Sequence, residues 1–191
     1  MCPQPRDDGP VRSLRGSLLI AGAGLIDPNF RRTVVLVGEH NDDGALGVVL
    51  NRVTPVAVGE AVPSLAGLTG PDERVFVGGP VQPEAAVVVA ELDPGQRTEV
   101  MVFGTIGFLT GVVDAEAAAG VRRARVFAGY AGWGPGQLEM ELEESSWIVE
   151  PALPGDVFTP DPDGLWREVL RRKGGTEHEL LGLIPIDPSL N

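Results

Sequence analysis

The feature that most constrains this chain is a pair of Val- and Leu-rich runs joined by a short polar stretch. "RTVVLVGEH" (32–40) and "ALGVVLNR" (45–52) have the composition of buried strands. "NDDG" (41–44) separates them, and it predicts a turn because Asn and Asp bond their own backbone and Gly accepts a positive φ. The two runs therefore predict a β-hairpin around which the rest of the chain has to pack.

Other segments predict more strands and a few helices. "DPDGLWREVLRRKGG" (161–175) is typical of an amphipathic helix, since Asp161 or Asp163 can cap its start and Gly174 can end it. We also expect a helix over 115–124 capped by Asp114, a short helix near 61–68 within a loop at 53–74, and strands at 74–81, 84–92, 99–109, 125–132 and 145–151. About seven strands and two or three helices predict an α+β fold with a mixed sheet.

The length of 191 residues predicts one domain, which we place at 14–191. Residues 1–13 are polar and Pro-rich, and they predict a disordered leader without the apolar core of a signal peptide. No apolar run reaches the roughly 18 residues of a membrane-spanning helix. The tail at 176–191 is apolar in its middle and is expected either to pack on the body or to stay loose.

The charge balance narrows the possible partners. Twenty-seven acidic residues against fifteen basic ones give a net charge of −12. This balance disfavours nucleic acid and anionic membranes as partners, because both need a basic surface. The single cysteine, Cys2, excludes an internal disulfide and fits a cytoplasmic location.

The stretch "GYAGWGPGQLEMELEESSW" (129–147) has the order strand, glycine turn, helix, strand. It lacks both the glycine spacing and the Lys of a phosphate-binding loop, and its acidic residues would repel a phosphate. We therefore favour a tight strand-to-helix corner in which Trp133 fills the space. A ligand pocket on this corner and a catalytic turn stay open as alternatives.

A complete set of catalytic or metal-binding residues is not recognisable. There is no G-x-S-x-G motif, and Cys2 lies in the leader. The histidines are His40, beside Glu39 at the turn end of the hairpin, and His178. Two histidines without a cysteine pair disfavour a zinc site, so we predict no catalytic residue, metal or cofactor.

The other end of the hairpin offers a candidate anion site. If the hairpin forms, Arg32 lies beside Asn51 and Arg52, with Asn29 nearby. Guanidinium and amide groups presented together at strand ends can bind a carboxylate or a phosphate. The alternative is structural: the arginines pair with the surplus carboxylates, and the residues at 27–29 form an Asx turn.

These motifs together resemble the YqgE/AlgH family of bacterial proteins. The resemblance is carried by "DPNFRRTVVLVGEH", "GALGVVLNR", "VFVGGPV" and "GYAGWGPGQLE" in that order, and it covers about residues 16–185. It implies an α+β fold with a mixed, bifurcated sheet, a small barrel-like portion and flanking helices. It also implies a cytosolic protein without an established activity, although one family name is tied to regulation of exopolysaccharide synthesis.

We therefore expect a non-catalytic cytosolic binding or regulatory protein. A groove between the hairpin and the tryptophan corner would hold a small ligand or a peptide. One alternative is an enzyme on a small phosphorylated or nucleotide substrate, with two arginines as clamps and His40 or Glu139 as acid or base. The other is a transcriptional regulator, which the acidic balance disfavours. The candidate ligand-binding residues are Asn29, Arg32, His40, Asn51, Arg52, Trp133, Gln137 and Glu139.

Overall fold

The computed structural model describes residues 13–109 and 118–175. Within these ranges, ten strands form one connected set of paired strands. The strands are β1 (Ser17–Ala21), β2 (Val34–Asn41), β3 (Gly44–Val49), β4 (Val53–Ala57), β5 (Arg74–Val77), β6 (Val81–Leu92), β7 (Val100–Phe103), β8 (Ile106–Leu109), β9 (Val121–Trp133) and β10 (Trp147–Pro151). The helices are α1 (Val58–Ala61), α2 (Gln137–Glu143), α3 (Pro154–Val157) and α4 (Pro162–Lys173), together with a 3₁₀ helix at Pro63–Leu68.

The sheet is mixed and it divides at β9. The main path runs β10-β1-β2-β3-β9-β6-β8-β7, and β4 and β5 lie off this path. β9 pairs with β6 over most of its length, with β5 in parallel at 127–128, and with β3 at 131–133. The other described pairings are antiparallel. The predicted mixed, bifurcated α+β fold is therefore present.

The sheet is not closed into a barrel, so the predicted barrel-like portion is not confirmed. Its two end strands, β10 and β7, do not pair with each other. Side chains of α4 cover the outer edge of β10, where Lys173 Nζ donates to the Val149 carbonyl (2.9 Å) and Arg172 donates to the Pro151 carbonyl (3.3 Å). Covering an edge in this way satisfies its polar groups without closing the sheet.

The predicted hairpin is β2 and β3, with Asn41 opposite Gly44 across the turn. Asn41 Oδ1 accepts a hydrogen bond from the Asp43 N–H (2.8 Å), as expected for an Asx turn. Both faces of the hairpin are buried, which explains the unbroken apolar runs in its sequence. One face packs against α4 and the other against the tryptophan corner; the residues involved are Leu36, Val48, Leu165, Val169 on the first side and Val35, Val49, Trp133, Trp147 on the second.

Helix α4 confirms the amphipathic helix predicted from the sequence. Asp161 Oδ1 accepts a hydrogen bond from the Gly164 N–H (3.1 Å), and Gly174 follows the last residue. Leu165, Trp166 and their neighbours one turn later are buried. Each such side chain contributes about 1.5–3 kcal/mol when it is removed from water.

Three local predictions were wrong. Residues 53–57 were predicted as loop but form β4, which pairs with β5 despite Pro55 because it lies at an edge. The run 99–109 was predicted as one strand but forms β7 and β8, because Gly104 adopts φ +51° and reverses the chain. The helix predicted to reach residue 124 is strand from Val121 onward, where pairing with β6 and the ion pair between Arg123 and Glu91 (2.7 Å) outweigh local helix propensity.

Some predictions fall outside the described residues. They are the leader except for Ser13, the cap at Asp114, His178 and the tail at 176–191. In the described ranges, none of the helices combines the length and the apolar character needed to cross a membrane.

Candidate functional site

A cleft of about 840 Å³ lies at the open end of the β2–β3 hairpin. Four segments that are far apart in sequence line it: the loop before β2, the residues after β3, the end of β5 and the start of α4. The lining residues are Ile26, Pro28, Arg31, Arg32, Asn51, Arg52, Val53, Val77, Asp163, Trp166 and Arg167. Its size is within the range of about 300–1,000 Å³ that is usual for small-molecule sites.

Two sets of contacts fix the middle of the loop before β2. Asp27 Oδ1 accepts a hydrogen bond from the Asn29 N–H (2.8 Å), which is the Asx turn that the sequence left as an alternative. The Phe30 ring packs against two tryptophans that also contact each other, with its centroid 6.2 Å from that of Trp133 and 5.7 Å from that of Trp147. With Phe30 anchored in the core, the next two residues, both arginines, are left to line the cleft.

Asn51 ties the two strands of the hairpin together. Its Oδ1 accepts a hydrogen bond from the Val34 N–H (2.9 Å), and its Nδ2 donates to the Arg32 carbonyl (2.9 Å). Both ends of the amide are therefore engaged with backbone. Asn51 lines the cleft but acts as a structural clip that fixes where Arg32 stands.

Arg52 is oriented by backbone carbonyls. Its Nη2 donates to the carbonyls of Pro28 (2.8 Å) and Arg31 (3.2 Å). Holding a long side chain in this way lowers the conformational entropy lost when it binds a ligand. Arg52 is thus presented to the cleft in a preorganised position.

Two hydrogen bonds bring the distant segments to the hairpin. The Val77 N–H donates to the Arg52 carbonyl (2.8 Å), which places the end of β5 beside the residues after β3. The indole N–H of Trp166 donates to the Ala21 carbonyl (3.0 Å), which docks α4 on the end of β1. Arg32 then lies over the Trp166 ring, with its guanidinium carbon 5.6 Å from the ring centroid.

Positive charge is concentrated in this cleft, although the whole chain is acidic. Four of its lining residues are arginines and one is an aspartate, Asp163. Burial lowers the pKa of Arg32, and the charges of Arg31 and Arg167 lower it further. Burial also lowers the pKa of Arg52, and Arg31 adds to this while Asp27 opposes it. An anion bound among these groups would relieve their mutual repulsion.

The cleft also exposes apolar surface. Ile26, Val53 and Val77 are 83%, 44% and 41% exposed, and all three line the cleft. They account for half of the six large hydrophobic side chains that are exposed within the described residues. A site that combines arginines with exposed aliphatic groups suits a ligand that is anionic at one end and apolar at the other.

His40 lies at the opposite end of the hairpin, and it is buried. Its Nδ1 accepts a hydrogen bond from the Leu14 N–H (3.0 Å), so its Nε2 carries the proton and donates to Glu139 Oε1 (2.7 Å). Ser13 Oγ donates to the His40 carbonyl (3.0 Å). With both ring nitrogens engaged, His40 joins the N-terminal segment to α2 and has no nitrogen left for proton transfer.

Trp133 and Gln137 are also held by internal contacts. The indole N–H groups of Trp133 and Trp147 both donate to Glu141 Oε2, at 2.9 and 2.7 Å. The Gln137 amide accepts from the Gly134 N–H (3.1 Å) and donates to Glu141 Oε1 (2.9 Å). The glycine stretch is thus a tight strand-to-helix corner filled by a tryptophan, the reading that the sequence favoured.

The expectation of one groove shared by the hairpin and the tryptophan corner is wrong. The residues that line the large cleft include Arg32, Asn51 and Arg52, whereas Trp133 lines a separate cavity of about 200 Å³ near the hairpin turn. The two sets of lining residues have no member in common. β2 spans eight residues, so at about 3.3 Å per residue the hairpin turn lies roughly 25 Å from the hairpin base. The Trp133 ring reaches back from the turn end to contact Phe30.

Sequence reasoning missed several residues of the cleft. Arg31 is adjacent to a predicted residue, and its place in the same turn is the signal that could have found it. Trp166 and Arg167 lie within the predicted amphipathic helix, but nothing local indicates that this part of the helix meets the hairpin. Val77 reaches the cleft only through the pairing of β5. Asn29 was predicted as a ligand residue but is not part of the cleft lining.

No group of three or more His, Cys, Asp and Glu side chains able to hold a metal ion occurs in the described part of the chain. In the sequence, His40 beside Glu39 is one of the two histidines on which a zinc site was disfavoured. In the structure, His40 instead uses both nitrogens in hydrogen bonds to protein.

The fold and the cleft define an α+β protein with an open, divided sheet and an arginine-lined site at the base of a hairpin. Residues 18–178 match the DUF179 family, which is described as AlgH-like. The chain belongs to this family, and the resemblance drawn from its motifs is confirmed.

Relatives match over nearly their whole length. The chain is 49% identical over 188 residues to the UPF0301 protein SCO2948 of Streptomyces coelicolor, covering 95% of this chain and 97% of that protein. Its fold is similar to the crystal structure of protein DIP2367 from Corynebacterium diphtheriae, with a TM-score of 0.78, 28% identity and 95% coverage of each chain. It is also similar to the solution structure of the AlgH protein from Pseudomonas aeruginosa, with a TM-score of 0.68, 29% identity, and coverage of 98% of this chain and 100% of that one.

Proposed function

We propose that this protein is a non-catalytic, cytosolic binding or regulatory protein whose ligand occupies the cleft at the hairpin base. The observation that carries this proposal is the clustering of four arginines around exposed aliphatic side chains in a chain of net charge −12. Surface arginines of an acidic protein find carboxylate partners easily. A site that keeps several of them together is suited to an external anion.

The ion pairs of the protein support this reading. Elsewhere in the described residues, Arg123 pairs with Glu91 (2.7 Å) and Arg172 pairs with Asp156 (2.7 Å). Arg31 and Arg167 form none of the ion pairs found within the described ranges. Their charge is therefore available to a ligand.

The chemistry of the lining favours binding over catalysis. Among its residues there is no Ser, Cys, His or Lys, and the one carboxylate is Asp163. The amide of Asn51 is engaged with backbone on both sides. These groups can bind an anion, and a binding or regulatory role needs no more than that.

The proposal is tested by thermal denaturation in the presence of dicarboxylates, acidic peptides and phosphate esters. A ligand at a hundredfold excess over its Kd stabilises the protein by about 2.7 kcal/mol, which raises Tm by several degrees. The variants Arg31→Gln and Arg167→Gln should lose most of this rise. Arg97→Gln is the matched control, because Arg97 is an exposed arginine that is not part of the cleft.

Two results would contradict the proposal. One is a panel in which no anion raises Tm, and the other is a rise that is equal in the parent, both cleft variants and the control. The non-catalytic part has its own check: a stabilising ligand should be recovered unchanged after prolonged incubation, as followed by proton NMR. Conversion of the ligand would favour the enzyme alternative.

A further inference from the structure

We infer that the ligand of the cleft is an organic phosphate monoester, with the phosphate among the arginines and an apolar group against the exposed aliphatic side chains. This inference rests on the proposed function and narrows it to one class of ligand. The charge, the available donors, the apolar surface and the blocked strand edge each contribute to it.

The positive charge of the cleft favours a ligand that carries more than one negative charge. The lining contains four guanidinium groups and one carboxylate. A carboxylate ligand brings one negative charge, whereas a phosphate monoester brings about 1.5–2 at pH 7, with three strong acceptor oxygens. The phosphate therefore matches the surplus positive charge better than a simple carboxylate does.

Enough N–H donors are available to receive those oxygens. Within the described residues, the side chains of Arg31 and Arg167 form no hydrogen bond to protein. Arg52 uses one terminal nitrogen on two carbonyls, and it retains the N–H groups of Nε and Nη1. The planar fork of a guanidinium binds two phosphate oxygens at once, which a lysine cannot do.

The aliphatic side chains explain why the phosphate should carry an organic group. Ile26, Val53 and Val77 remain exposed beside the arginines. Covering them removes apolar surface from water at about 25 cal/mol per Å². Inorganic phosphate would meet the arginines and leave this surface uncovered.

An extended peptide is a poorer fit because the strand beside the cleft is blocked. β4 is an edge strand, but Pro55 has no N–H, and Arg74 donates to the Pro55 carbonyl. The Val56 N–H donates to Thr54 Oγ1 (3.2 Å). Addition of a peptide strand needs such backbone groups to be open, so a compact ligand is favoured.

The test uses isothermal titration calorimetry with hexyl phosphate, inorganic phosphate and hexanoate. Hexyl phosphate should bind most tightly, and at least tenfold more tightly than hexanoate. Arg31→Gln and Arg167→Gln should each weaken both phosphate probes about tenfold. Ile26→Ser should weaken hexyl phosphate by severalfold and leave inorganic phosphate unchanged. Arg97→Gln is the control, and equal Tm values across the set show that all variants fold.

A second arm separates two sources of the same chemistry, a soluble ester and a lipid headgroup. Vesicles of phosphatidylcholine with phosphatidic acid expose a phosphate monoester. Sedimentation of the protein with them, lost in Arg31→Gln and Arg167→Gln, would support the inference and assign it to a lipid. Binding of hexyl phosphate without sedimentation would support it and assign a soluble ester.

The outcomes also separate this inference from the proposed function. If hexyl phosphate, inorganic phosphate and the vesicles all fail to bind, the inference is overturned. If a dicarboxylate or an acidic peptide still binds and depends on Arg31 and Arg167, the proposed function stands without it. Hexanoate that binds as tightly as hexyl phosphate likewise overturns the phosphate assignment.

Discussion

At the scale of single residues, Arg32 is held in an unusual backbone conformation. Its backbone lies in the left-handed region at φ +56°, which is uncommon for a residue other than glycine. Its carbonyl accepts from Asn51 (2.9 Å), and its guanidinium lies over Trp166 (5.6 Å). These contacts hold a conformation that costs about 1–2 kcal/mol relative to a right-handed one. Strain of this kind is often retained where a side chain has to be presented to a ligand.

Comparison of Arg32→Gly with Arg32→Ala isolates that strain, because both variants lack the guanidinium. Glycine adopts a positive φ without a steric penalty, so the glycine variant should be the more stable of the two by about 1 kcal/mol. The free energy of unfolding in urea measures the difference. An alanine variant as stable as the glycine variant would show that the backbone of Arg32 is not strained.

At the scale of elements, the hairpin depends on its turn glycine. Gly44 has φ +126°, and a Cβ atom there would collide with the Trp133 carbonyl oxygen. The turn therefore has two requirements, a left-handed backbone and close approach of β9. Only glycine meets both.

Gly44→Ala should lower the free energy of unfolding by more than about 2 kcal/mol, because it adds backbone strain to a steric clash with β9. Gly134→Ala, beside Trp133, is the matched control: the nearest atom to its Cβ would be Gln137 Oε1 at 3.9 Å, so its cost should stay within about 0.5 kcal/mol. Urea denaturation measures both. Equal effects of the two substitutions would contradict this account of the turn.

The elements also show what sequence patterns can predict. The hairpin and α4 were predicted correctly because their signals are local: a turn sequence between two apolar runs, and a capped amphipathic repeat. The start of β9 was missed because its strand state comes from pairing with β6, including the contact between Arg123 and Glu91. Tertiary pairing overrode local propensity there.

At the scale of the whole molecule, the cleft joins segments that are more than a hundred residues apart. Arg32, Asn51 and Arg52 could be placed together from the sequence, because a hairpin brings its two ends side by side. Arg167 and Val77 could not, since they arrive through the docking of α4 and the pairing of β5. For the same reason, the prediction that the tryptophan corner shares this site was wrong: local patterns carry no information on long-range packing.

The net charge is a molecular property with a local exception. The chain carries −12 overall, yet the cleft at the hairpin base is lined by four arginines and one aspartate. The acidic remainder repels anions, so binding should rely on short-range contacts inside the cleft. Addition of salt should weaken these contacts only modestly, because partly buried charges are screened less than exposed ones.

The central claim, that the cleft at the hairpin base is the ligand site, is tested most directly by NMR titration with hexyl phosphate. At 20.1 kDa the protein is suited to amide nitrogen–proton spectra. We expect saturable shifts at Ile26, Arg31, Arg52, Val77 and Arg167, and unchanged signals at 41–46 around the hairpin turn. Saturable shifts centred on that turn and Trp133, or no saturable shift anywhere, would contradict the claim.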